Sequence, residues 1–291
     1  MRLDESDLKK LEGIAVEAAM DAGSRVMEYF QKPEISLSRK EGSELAAQVL
    51  SKADIESQRI IEDCLKNTIN DFHIGFLGEE AKDDGSRFEK DFFWCVDPLD
   101  GTLPFIEGRP GFAVSIALVQ KSGIPVLGVI YDPHQKTLVS SSYGGIVREF
   151  GSRWDSYNDQ EFVWYLDHSL RKNPRFETIK ELVSKIMNEQ GASHLLIKEG
   201  MGAVMNAYHV WKNPNSIYFK LPKSEKGGGA IWDFAASVCL FNESGHQVRD
   251  FFGKDINLNP KHSLYMNRQG ITFTSSPRLK QLLQEGLNHY F

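Results

Sequence analysis

The sequence is short of the features that mark several function classes. Its 291 residues hold three cysteines, an odd number, at 64, 95 and 239 and each among apolar neighbours. That excludes a disulfide framework and a cysteine-built zinc site, and makes buried thiols the expectation. No apolar run approaches the roughly 18 residues of a membrane span. The opening MRLDESDLKK has no apolar core of the signal-peptide type. Positive charge is also scarce, with 34 Lys and Arg against 40 Asp and Glu and no dense basic run, so a nucleic-acid polymer is not an expected partner. There is no G-x-x-x-x-G-K-[ST] motif, no dinucleotide-type glycine fingerprint after a strand, no fixed-period repeat, and no low-complexity tract beyond Gly227 to Gly229. The expectation is a soluble, cytoplasmic protein without membrane contact. An anionic substrate would then need local help from a metal or from backbone amides.

What is present is ample apolar content, 41%, enough for one large domain or two lobes. Between residues 4 and 31, Leu8, Leu11, Ile14, Ala15, Ala18, Ala22, Val26 and Phe30 recur at three- and four-residue steps, which predicts an amphipathic helix. A second helix is expected to begin near Asp54. HIGFLGEE and FFWCV read as strands, and AVSIALV, PVLGVIYD, TLVSSS and GIVREF as an antiparallel meander. The second half reads as strand EFVWYLDHS, helix RFETIKELVSKIMNEQ, strand HLLIKEG, helix GAVMNAYHVWK, extended SIYFKLP, then helices from about Ile231 to Asn242 and at the carboxyl end. The fold class inferred is α+β, layers of helix and sheet in two lobes, residues 1–150 and 151–291.

The stretch DPLDGTLPF, residues 97–105, carries the chemistry. Alone it is a turn as readily as a site, because Asp, Pro and Gly are the commonest turn residues. Its company favours a site. Glu79, in GEE, also follows a strand, and carboxylates at neighbouring strand ends that converge repel one another and need a cation. With no His or Cys in these motifs the donors are hard oxygens, which suit Mg²⁺ or Mn²⁺ better than Zn²⁺. Gly101 lets a backbone approach an anion, and a short helix starting at Thr102 would aim amides at it; an ordinary N-cap is the competing role for Thr102. Asp233, in IWDFAAS, and Asp54, in SKADIESQ, each have a plainer reading as helix-start acids.

Taken together these segments resemble the inositol monophosphatase superfamily, the magnesium-dependent, lithium-sensitive phosphatases. The resemblance spans most of the chain and rests on GEE (78–80), DPLDGT (97–102) and WDFAA (232–236), in that order. It implies a layered αβαβα sandwich, with Glu79, Asp97, Asp100, Asp233 and the carbonyl of Leu99 holding two or three Mg²⁺ ions, Mn²⁺ being the alternative. Asp54 and Thr102 would polarise the attacking water, the family's helix-start Thr being Ser51 here, and Gly101 and Thr102 would receive the phosphate. Within the superfamily, FWCVDPLDGTLPFIEG, GVIYDP and IYFKLP before IWDFAAS look most similar to the 3'(2'),5'-bisphosphate nucleotidases. Lys220 falls where those enzymes carry Arg. Lys226 stands seven residues before Asp233, where inositol monophosphatases carry Glu, and both lysines are candidate substrate contacts. Against that, EGMGAVMNAY lacks the Ser and Lys those nucleotidases show there. The substrate expected is a small phosphorylated metabolite, the bisphosphate nucleotide first, inositol 1-phosphate or a related sugar phosphate second. A non-catalytic regulatory binding protein of the same fold is the competing class, and a homodimer is a candidate assembly.

Overall fold

The computed structural model describes residues 3–32, 44–151 and 157–290. The first half contains α1 (Glu5–Phe30), α2 (Glu44–Asp71), β1 (Gly75–Gly78), α3 (Ser86–Glu89), β2 (Phe92–Asp100), α4 (Thr102–Ile106), β3 (Ala113–Gln120), β4 (Pro125–Asp132), β5 (Thr137–Ser142) and β6 (Arg148–Phe150). The second contains β7 (Glu161–Leu166), α5 (His168–Arg171), α6 (Phe176–Glu189), β8 (His194–Glu199), α7 (Ala203–Lys212), β9 (Ser216–Lys220), α8 (Trp232–Ser244), β10 (Gln247–Arg249), β11 (Ile271–Thr274) and α9 (Pro277–Tyr290). No helix among the described residues is long and apolar enough to cross a membrane.

Side-chain alternation along the strands builds the layers. β1 to β6 form one sheet in sequential order, parallel at β1–β2 and antiparallel beyond, the meander read from the sequence. On β2, Trp94 and Val96 pack with Leu11, Ala15, Ala18 and Ile61 of α1 and α2, whereas Phe93 and Cys95 point the other way into a core shared with α7 and α8. A strand buried on both faces carries no polar alternation, hence the unbroken FFWCV. The second sheet runs β10-β11-β9-β7-β8. Phe162 and Trp164 of β7 face α6 and α9, while Val163 and Tyr165 face the inner helices. The result is five layers, αβαβα, with α7 and α8 between the sheets.

Three details differ from the sequence reading. α2 begins at Glu44, so Asp54 lies about three turns inside a helix and is not a helix-start acid. Strands β10 and β11, three and four residues long, carry too short a pattern to register as strands. The Gly-Thr step behind Asp100 starts a helix with Gly101 as its N-cap and no side-chain cap, which removes the N-cap role for Thr102. The thiols are as expected, Cys95 and Cys239 buried and Cys64 partly so.

One buried polar cluster pins α1 to the first sheet. Glu12, 5% exposed, accepts from Ser140 Oγ at 2.6 Å, Ser142 Oγ at 3.1 Å and Arg148 at 3.0 Å. Glu12→Ala is expected to lower the unfolding free energy in urea by about 1–3 kcal/mol, because it strands buried partners. An unchanged midpoint would show that water replaces the carboxylate at no cost.

Candidate active site

Asp97 and Asp100 are three residues apart on β2, a spacing that a regular strand would send to opposite faces. A bulge prevents this: Asp97 pairs with Ser115 and Asp100 with Ala113, so β2 holds one more residue than β3 between the two pairs. Pro98, which cannot donate to a ladder, sits in that irregularity. Leu99 N–H closes a local turn onto Asp97 Oδ1 at 3.0 Å, and Leu99 is itself buried against Phe105 and Phe112. Gly101 follows at φ +93°, where an added Cβ would lie 2.7 Å from the carbonyl of Gly111. Strand geometry and backbone crowding thus fix the turn-out of the chain, and Thr102 begins α4 with its side chain exposed.

Asp100 then reaches across to the second half of the molecule. Its carboxylate accepts from Ala203 N–H at 3.1 Å and Val204 N–H at 2.8 Å, capping α7, whose own N-cap is Gly202. A Cβ on Gly202 would collide with that carboxylate. Glu79 follows β1, its N–H bonded to the Val96 carbonyl at 3.1 Å, and Gln58 of α2 anchors the turn by accepting from Glu80 N–H at 2.8 Å. Asp233 lies in the first turn of α8 and accepts from Ala230 N–H at 3.0 Å.

These acids feel one another. Burial, then Glu79, Asp100 and Asp233, push Asp97 far above the carboxylate range. Burial and then Asp233 raise Asp100 well above it, against the pull of the Val204 amide and Lys220. Glu79 rises to about 7 through burial and Asp233, partly offset by its hydrogen bond with Asp97. Asp54 rises to about 8 through burial, Glu80 and Glu79. Asp233 reaches about 6, burial being opposed by Lys220 and the Ala230 amide.

Among the described residues, no three acidic, His or Cys side chains converge tightly enough to hold a metal ion as they stand. Asp100 is turned to α7, and Glu79 and Asp97 bond to each other. The donor chemistry nevertheless fits a hard divalent cation. It is all oxygen and crowded to the point of protonation, and a carboxylate oxygen that accepts one hydrogen bond keeps a second lone pair.

Lys220, at the end of β9, is the cation that the structure brings to this group. Burial works against its charge, but Asp167, Asp233 and Asp100 hold the ammonium above the usual lysine range. It pairs with Asp167 at 2.9 Å, and Tyr218 OH and Asn206 Nδ2 donate to the other Asp167 oxygen at 3.0 and 3.4 Å. Sequence reasoning missed Asp167, although an acid closing the apolar run FVWYL is the same signal as Asp97 behind FFWCV. Lys226 is not brought to the acids: it is exposed, with its ammonium 4.9 Å above the Tyr265 ring. No hydrogen bond joins Asp54 to Thr102 among the described residues.

Two mixed sheets with paired helices between them, and oxygen-only acids gathered at the end of a central strand, define a known class. The inositol monophosphatase family model matches residues 7–290, and the chain belongs to that family. It is 29% identical to the Nus factor SuhB of Xylella fastidiosa over 246 residues, 83% of this chain and 82% of the relative. It is 27% identical to the 3'(2'),5'-bisphosphate nucleotidase CysQ of Escherichia coli over 248 residues, covering 84% and 92%. The crystal structure of CysQ from Bacteroides thetaiotaomicron shares its fold, with a TM-score of 0.71 at 23% identity over 92% of this chain and 98% of that one.

Two expectations follow. Acids raised in the folded state bind more protons there than in the unfolded chain, so unfolding free energy falls as pH rises from about 4 through about 8. Metal-free protein is therefore expected to lose thermal stability across that window. Mg²⁺ should raise Tm more at pH 8 than at pH 5, by about 5 °C or more; a Tm that climbs with pH in EDTA contradicts the crowding. Separately, Gly202→Ala suits the backbone, at φ −63° and ψ 167°, yet displaces the Asp100 carboxylate. The Mg²⁺-induced rise in Tm should shrink in this variant, and the same substitution should add nothing in an Asp100→Ala background. Equal losses in both backgrounds would trace the effect to Gly101 Cα, 2.8 Å from the new Cβ.

Proposed function

We propose that the chain is a Mg²⁺-dependent phosphomonoesterase that hydrolyses a small phosphorylated metabolite by direct attack of water, with the 3'-phosphate of adenosine 3',5'-bisphosphate as the preferred group. The observation that carries the reading is the crowding of Asp54, Glu79, Asp97, Asp100 and Asp233, drawn from α2, β2, α8 and the turn after β1, with Lys220 beside them. Structural acids have no reason to gather at such electrostatic cost.

Glu79, Asp97, Asp100, Asp233 and the Leu99 carbonyl would hold the ions. Bound Mg²⁺ supplies Lewis acidity and charge neutralisation for a phosphoryl dianion, and an acidified water. The chain's own part is positioning and proton handling. Asp54, raised to about 8 and half-buried, is poised near neutrality to accept a proton from water, with the exposed Thr102 hydroxyl as the relay. The backbone at Gly101 and Thr102, where α4 begins, would receive the phosphate. Lys220 would meet the second phosphate, held in place by Asp167. Similarity to the nucleotidase CysQ agrees with a bisphosphate substrate, and what favours it over an inositol phosphate is Lys220, which suits an anion better than a hydroxyl. The relative named as a Nus factor favours a second reading, a binding protein of the same fold.

The test compares kcat/KM for adenosine 3',5'-bisphosphate and inositol 1-phosphate at saturating Mg²⁺, in wild type and Lys220→Ala. The bisphosphate should be preferred, and the variant should lose about 1.5–3 kcal/mol of transition-state stabilisation for it, roughly 10–100-fold, while inositol 1-phosphate changes little. Preference for inositol 1-phosphate transfers the assignment to that substrate. No phosphate release from either, with Asp97→Asn indistinguishable from wild type, supports the binding protein.

A further inference from the structure

A cavity away from the acids is lined in part by the loop that joins Lys220 to Asp233. Its walls are the segment from Ser224 to Lys226 and the segment from Pro260 to Gln269, with Arg87 at its base, and its volume is about 670 Å³. That is within the usual range for a small-molecule site. In a chain of net charge −6 its lining includes Arg87, Lys226, Lys261, His262 and Arg268 and no carboxylate.

Arg87 is spoken for. It is 3% exposed, pairs with Asp83 at 2.8 Å, and donates to Asn259 Oδ1 at 2.6 Å and to the Pro260 carbonyl at 3.2 Å, so its work is to hold one wall in place. Lys226, Lys261 and Arg268 differ: among the described residues no carboxylate lies within ion-pairing distance of any of them, although all three are exposed. Two acids flank the cavity. Asp83 is taken by Arg87, and Glu225 accepts from the Ser224 hydroxyl at 2.9 Å. Three uncompensated cations around one hollow repel one another, and an anion of matching size relieves that repulsion. The neutral polar groups on the walls are turned to structural bonds, Asn267 Nδ2 to the Lys223 carbonyl and Ser263 Oγ to the Tyr265 backbone. Charge is therefore what the cavity offers a ligand.

We infer that this cavity is an anion site separate from the acidic centre, and that it takes a small molecule bearing two or more phosphate or sulfate groups. Its position gives occupancy a route to the centre. Tyr265 bridges to Ala230, Met266 N–H donates to the Gly229 carbonyl at 2.9 Å, and Ala230 N–H holds the Asp233 carboxylate.

The inference does not depend on the proposed activity, and the test keeps the two apart by working without metal. In EDTA the acidic centre has no metal with which to hold an anion, so inorganic pyrophosphate titrated calorimetrically into the full-length protein tests the basic cavity, with Lys220→Ala as the control for the centre. Saturable binding at low salt is expected. It should weaken about tenfold or more in Lys261→Ala and in Arg268→Ala, each an exposed residue whose loss should leave the circular-dichroism spectrum unchanged. It should fade as ionic strength rises and be unchanged in Lys220→Ala. No binding at millimolar pyrophosphate, equal binding by both cavity variants, or loss in Lys220→Ala alone would each overturn the assignment.

Discussion

Mutual repulsion among carboxylates at the end of β2 is the constraint around which the molecule is arranged. Burial first, and then their mutual repulsion, raises five acids here, so ionising all of them without a compensating cation works against the fold. That arrangement persists only where the backbone leaves them nowhere else to go. β2 is packed on both faces, its bulge turns two aspartates to a shared environment, and the Gly101 step is fixed by contact with Gly111. Asp100 is further tied to the first amides of α7, 103 positions along the chain. The sandwich thus serves as a rigid frame for a group of charges that would otherwise separate, and a cation is what the frame lacks for balance.

Much of this was legible in the chain itself. FFWCV reads as a strand, and an acid-rich exit from it, repeated at GEE, points to carboxylates that could converge. Helical and two-residue periodicities proved correct for nearly all long elements, and the family resemblance implies the five-layer order in which they stack. What escaped has physical reasons. β10 and β11 are shorter than one reliable alternation period, and the acid at Asp54 reads as a helix start although α2 begins ten residues earlier, at Glu44. The bulge at Pro98 is a relation between two strands, so β2 alone cannot show it. The capping of α7 by Asp100 and the pairing of Asp167 with Lys220 are tertiary choices that no local window contains.

The plain readings of the acids did not simply fail. Asp97 makes the short turn with Leu99 that turn chemistry expects, and Asp233 sits in a helical first turn and bonds a nearby amide as a helix-start acid should. Each bond lowers the local cost of placing a charge there. Local satisfaction and collective crowding are therefore compatible: the amides hold every carboxylate at its post, and the sum of those posts is a site. Residue type alone could not decide between turn and centre, because the same aspartate is both.

The same loop also separates two opposite charge environments. Lys220 lies on the acidic side, and Lys226, six residues on, lies on the basic side among Lys261 and Arg268. Between them the chain runs through Leu221 to Glu225, and the three glycines at positive φ, Gly227 to Gly229, follow Lys226 and carry the backbone on towards Asp233. Reversing sign over so few residues keeps cations from neutralising the acidic centre while leaving one, Lys220, at its edge under the control of Asp167. That division explains why two lysines only six residues apart have different electrostatic surroundings: Asp167, Asp233 and Asp100 act on Lys220, whereas Lys226 lies over an aromatic face.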